Sequence, residues 1–125
     1  MDSKRILIEK ILKKLSNSPF RKRFVLGTND IIYYNSKGYD VIKEHACHFV
    51  RERIAPEKIV NDGKQTPMKK HPVFIAQHAT ATCCRGCIEK WHGIEKNKQL
   101  NEDEINYIVD IIMLWILTRI KTCPN

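Results

Sequence analysis

Apolar residues recur at three- and four-residue steps through most of this chain, a spacing that one face of a helix buries and a strand does not. From Ser3 to Leu15 the positions Ile8, Ile11, Leu12 and Leu15 follow it, with Lys10, Lys13 and Lys14 opposite. Ser18-Pro19 closes that helix, because proline disfavours helical geometry in the residue before it. A second short helix is expected after Thr28 or Asn29, ending near Lys37-Gly38, and a third from about Asp40 to Ile54. The third buries Ile42, Ala46, Phe49 and Val50, and Pro56 marks its end. Residues 55–72 read as irregular: Asn61-Asp62-Gly63 is a turn signature, and Pro67 and Pro72 lack backbone donors. Val73-Phe74-Ile75 fits a short buried strand or an extended core segment. A fourth helix is expected from Thr80 or Thr82 to Trp91. The last helix begins with Asn101 and Glu104 spaced as a capping box. Its centre, residues 111–117, is apolar on every side, which suits a central core helix or a homodimer surface. The expected fold is thus all-α or mainly α: one compact domain of about five helices with a long irregular loop before the fourth.

The length of 125 residues fits that single domain, 1–125, with three distinguishable stretches: a basic segment 1–26, a Cys/His-rich segment 61–94 and the apolar helix 101–121. The seven-residue apolar run Ile111–Leu117 is far short of the roughly 20 residues that span a bilayer. Glu9, Lys10, Lys13 and Lys14 interrupt any secretory h-region. A cytoplasmic location, with no membrane partner, is therefore expected. Of the net charge of +8, residues 1–26 carry +6, from eight Lys or Arg against Asp2 and Glu9. Such a basic segment is either a solvated helix face or a surface for nucleic acid, drawn by counterion release.

In a reducing compartment the five cysteines are expected as free thiols, metal ligands or reactive groups. Cys83, Cys84 and Cys87 lie within five positions, flanked by His71, His78 and His92. Zinc prefers thiolate and imidazole ligands, and Cys84-x-x-Cys87 is a common half-site spacing. The candidate metal ligands are Cys83, Cys84, Cys87, His78 and His92. The competing readings are small residues packed between helices and an activated cysteine. The thiols sit near an expected helix start beside Arg85, where the dipole lowers a thiol pKa and anions bind. An enzyme using that cysteine or a metal-bound water would draw on His71, His78 and Arg85. His71, Arg85, Lys64 and Thr66 are the candidate ligand contacts. An iron–sulfur cluster would want four cysteines, and Cys123 is distant. His45, between Ile42 and Phe49, reads as a hydrogen-bonded core residue. Trp91 and Trp115 read as core aromatics, while Cys47 and His48 form no pattern.

Three strings, NDGKQTPM at 61–68, HPVFIAQHATATCCRGCIEKWHGI at 71–94 and YIVDIIMLWI at 107–116, carry a family resemblance. The chain resembles domain-of-unknown-function family 4186, a group of short prokaryotic proteins, over about Phe20 to Ile116. The EHA at 44–46 is similar to the family's pattern too. The resemblance implies a compact protein whose site lies in the HATATCCRGC region, and it implies no assigned activity.

Overall fold

The computed structural model describes residues 3–121, among which there are seven α-helices and no strand. Cys123 lies outside the described residues. Helix α1, Ser3–Ser16, buries Ile8 and Leu15 and exposes Lys10, Lys13 and Lys14, as its periodicity predicts. The four-residue α2, Pro19–Lys22, is capped by the Ser18 hydroxyl and begins with proline. The basic segment 1–26 is therefore helical on both sides of Ser18.

Helix α3, Thr28–Lys37, is tied at its start by the Asp30 carboxylate accepting from the Gly27 N–H at 2.9 Å. It ends at Gly38, whose φ of +89° only glycine adopts cheaply. Helix α4, Tyr39–Phe49, runs on into a π-helical turn, Val50–Ile54, which closes with the Ala55 N–H on the Val50 carbonyl. Residues 55–71 form the irregular loop that the sequence predicts.

The expected fourth helix is present in shorter form and is preceded by a helix that was not expected. Helix α5, Pro72–Ala79, occupies the segment read as strand or extended core, and α6, Arg85–His92, starts later than expected. Every residue of α5 is buried, so its apolar run has no exposed face to reveal a period. His71 caps it, accepting from the Val73 N–H at 3.0 Å, and Pro72 stands in the first turn where no donor is missed. Helices α2 and α5 account for the count of seven against five.

Helix α7, Glu102–Lys121, has the expected capping box: Asn101 Oδ1 accepts from the Glu104 N–H at 2.8 Å, and Glu104 returns the bond at 3.0 Å. It packs against α4 and α5 and forms the centre of the core. Ile108, Ile111, Ile112 and Ile116 are completely buried, so the chain itself covers the apolar centre of this helix. No helix among the described residues is long and apolar enough to cross a membrane.

Candidate metal centre

The turn between α5 and α6 places the cysteines. Helix α5 ends in a Schellman arrangement, with the Thr82 N–H on the Gln77 carbonyl at 2.8 Å and Ala81 left-handed at φ +60°. Glycine is usual there; alanine pays roughly 1 kcal/mol for the same geometry. Gln77 Nε2 donates to the Thr82 carbonyl at 3.1 Å, and Thr80 Oγ1 donates to the Ala76 carbonyl at 2.8 Å. Strained backbone held by its surroundings is typical of functional sites. The chain then extends through Cys84, which caps α6: its Sγ accepts from the Cys87 N–H at 3.4 Å.

The ligand atoms of Cys83, Cys84 and Cys87 all lie within 4.8 Å of one another. Cys83 and Cys84 are buried and Cys87 is half-buried. With zinc–sulfur bonds of about 2.3 Å, tetrahedral sulfurs stand about 3.8 Å apart, so the three thiols reach one metal ion with small adjustments. Three cysteines are thus positioned to hold a metal. The chemistry of the donor set is soft, which suits zinc and other thiophilic ions over calcium or magnesium.

Facing the sulfurs is Arg21, which no spacing in the sequence marks as part of the site. It is only 7% exposed. Its Nη1 donates to the His78 carbonyl at 2.8 Å and lies 3.6 Å from Cys83 Sγ, while Nη2 donates to Cys87 Sγ at 3.1 Å. Phe20 lies under the guanidinium at 4.9 Å. Burial opposes the charge of Arg21, and the bonds to Cys87 and Cys83 outweigh it, so its pKa rises. Hydrogen bonds from Cys83 and Cys84, then the guanidinium, hold the Cys87 thiol far below its usual range. Cys83, on the donating side of the bonds with Cys84 and Cys87 and desolvated as well, is pushed strongly upward. At Cys84 the bond with Cys83 favours the thiolate, but the interaction with Cys87 and burial outweigh it. One negative charge on the trio, matched by Arg21, is the arrangement these groups favour.

The two histidines expected as ligands stand outside the sulfur group. His78 Nε2 is 3.1 Å from both the Thr66 and Pro67 carbonyls, which only accept, so this nitrogen carries the proton. Its ring stacks on Phe24 at 5.2 Å. His92 Nε2 donates to the Thr80 carbonyl and Nδ1 accepts from the Tyr107 hydroxyl, both at 2.8 Å. Burial lowers the pKa of His92 and keeps it neutral. These imidazoles fasten the chain around the cysteines.

The expected ligand contacts are likewise spread apart. Arg85 is 2% exposed, and its guanidinium points to backbone: the carbonyls of Glu95 at 2.6 Å, Ile54 at 3.3 Å and Pro56 at 3.4 Å. Thr66 Oγ1 donates to the Cys83 carbonyl at 2.8 Å. Lys64 is exposed. The N-terminus of α6, read as an anion site, already holds an anion of the protein: Asp62 accepts from the N–H groups of Arg85 at 2.9 Å and Gly86 at 3.0 Å. A Cβ on Gly86 would stand 3.3 Å from that carboxylate.

His71 sits at the other end of α5, where it caps the first turn. Because its Nδ1 accepts from Val73, its Nε2 carries the proton and donates to His45 Nδ1 at 3.0 Å. Tyr33, Phe49 and Phe74 surround the pair. Burial, and then the proximity of His45, lower the His71 pKa to about 4. His45 is thus the hydrogen-bonded residue expected, with a partner no spacing pointed to. Cys47 is half-buried, and His48 is an exposed residue 3.4 Å from Glu52.

These features define a class: a small all-helical domain with a tricysteine, arginine-facing site at a helix start. The chain matches the family described as a domain of unknown function (DUF4186) over residues 9–117, and it belongs to that family. No solved structure matches the chain.

Proposed function

We propose that this protein binds zinc through Cys83, Cys84 and Cys87, with Arg21 neutralising the excess charge of the thiolates. The observation that carries this reading is the convergence of three sulfurs within 4.8 Å on one side of a buried guanidinium. Three thiolates and one Zn²⁺ sum to −1, and Arg21 supplies the compensating charge together with N–H···S bonds of the kind that orient metal ligands. The fourth position would be open, as in zinc sites that bind water or substrate. The basic segment adds an affinity for nucleic acid, because Lys10, Lys13 and Lys14 lie exposed on α1, and such contacts make binding steeply salt-dependent.

Elemental analysis of the protein reconstituted with zinc is expected to give close to one ion per chain, falling well below that in Cys83→Ser and Cys87→Ser. Folded wild-type protein that retains no zinc after desalting would overturn the metal reading. Binding to a duplex oligonucleotide should weaken several-fold between low and moderate salt; salt-insensitive or absent binding removes the nucleic-acid part alone.

A second reading follows from Nη2 of Arg21 at 3.1 Å from Cys87 Sγ. A thiolate held this way is a nucleophile. Under it, alkylation by iodoacetamide at neutral pH is concentrated on Cys87, and mapping by mass spectrometry distinguishes this from uniform or absent labelling.

A further inference from the structure

Beside Arg21, which itself lines it, α1, α2, α5 and α7 flank a cavity of about 320 Å³. Its composition is two-sided. Arg5, Lys13, Arg21, Lys22 and Arg119 contribute cations to the lining, and among the described residues Glu9 is the single carboxylate there, bonded to Arg5 at 3.2 Å. Lys13 and Lys22 have no carboxylate partner among the described residues. The apolar part is made by Leu12, Leu15, Leu114 and Trp115. Leu15 and Trp115 are buried, whereas Arg5, Lys13 and Lys22 are exposed, so an apolar floor lies beneath a cationic rim. Arg119 stacks on the Trp115 ring at 5.1 Å, extending the aromatic floor with a planar cation.

We infer that this cavity is a binding site for a small organic anion, an aromatic or similarly flat apolar group carrying a phosphate. The volume falls at the low end of the roughly 300–1,000 Å³ of ligand pockets, which restricts the apolar part to about one ring system. The excess of cations selects the charged end, and arginine and lysine are the side chains that bind phosphate oxygens. Solvated basic surfaces lack a floor of this kind. The assignment does not depend on zinc binding, because the floor and the cations other than Arg21 belong to residues outside the cysteine site; Arg21 alone belongs to both.

Isothermal titration of the full chain with phenyl phosphate, inorganic phosphate and phenol tests it. Phenyl phosphate should bind in the millimolar range or tighter, and at least about tenfold more tightly than either fragment, a factor worth about 1.4 kcal/mol. The double variant Lys13→Gln/Lys22→Gln should lose that binding about tenfold. Lys10→Gln/Lys14→Gln, on the same helix but outside the cavity lining, should leave it unchanged. Trp115→Leu, checked for folding by circular dichroism, should erase the preference for phenyl phosphate over inorganic phosphate. Equal affinity for the two phosphates in the wild type overturns the inference, as does equal loss in both lysine pairs. Either result assigns the anion binding to a general basic surface.

Discussion

Residues 71–85 are buried without exception, while residues 56–70, directly before them, are mostly exposed. The exposed loop nevertheless supplies the polar partners that the buried stretch requires. Asp62 covers the first N–H groups of α6, Thr66 donates to the Cys83 carbonyl, and the Thr66 and Pro67 carbonyls receive the His78 proton. Buried polar groups are costly unless bonded, and here the bonds come from a segment that buries almost nothing itself. The loop is long because it serves as the outer wall of the cysteine site.

The comparison can be broken hardest at Arg85, the buried end of the arrangement. Arg85→Met removes a guanidinium shared among three backbone carbonyls and leaves those acceptors unpaired, which is expected to cost on the order of 3 kcal/mol. Urea unfolding should show it as a lower midpoint with an unchanged slope; a loss under about 1 kcal/mol would mean that water replaces the bonds.

From the loop side, Asp62→Ala uncaps α6 from without. The expected loss is about 1–2 kcal/mol, and Asp62→Asn, which keeps an acceptor and loses the charge, should fall between it and wild type. No change in either variant would reduce the loop to a passive connector.

A change of pH tests the junction of the two regions, His71. Its folded pKa of about 4 lies below the ordinary value of about 6.5. As pH falls, the unfolded chain therefore takes up this proton first. The stabilisation is complete above about 6.5 and is lost progressively as pH falls towards 4. Stability of wild-type protein should decline through that window, and His71→Asn, which preserves a capping side chain, should flatten the decline. Parallel pH profiles for the two proteins would mean that other groups set the acid sensitivity.

The elements legible in the sequence were those with a solvated face or a local cap. Helix α1 alternates lysine with buried aliphatics, and α7 opens on a reciprocal Asn101/Glu104 bond three residues apart. Helix α5 was illegible for the opposite reason: when all eight residues are buried, β-branched Val73 and Ile75 suit a strand as well as a helix. The cysteine trio was visible because its members are close in sequence. Arg21 was not, since 62 and 66 residues separate it from Cys83 and Cys87. His78 and His92 have the composition of ligands, yet carbonyls from Thr66, Pro67 and Thr80 claim their protons, and such backbone partners leave no mark on residue spacing.

That long reach of Arg21 has a consequence for the order in which the chain assembles. An emerging polypeptide presents its arginine early and its sulfurs more than sixty residues later. The pairing therefore closes a large loop, and contacts so distant along the chain form slowly compared with helical turns. Until Cys87 has emerged, α2 lacks the thiol partners that hold its guanidinium away from water. The sulfur–guanidinium contact is expected to form after the helical turns and together with the packing of α4 on α7, which joins segments comparably far apart along the chain.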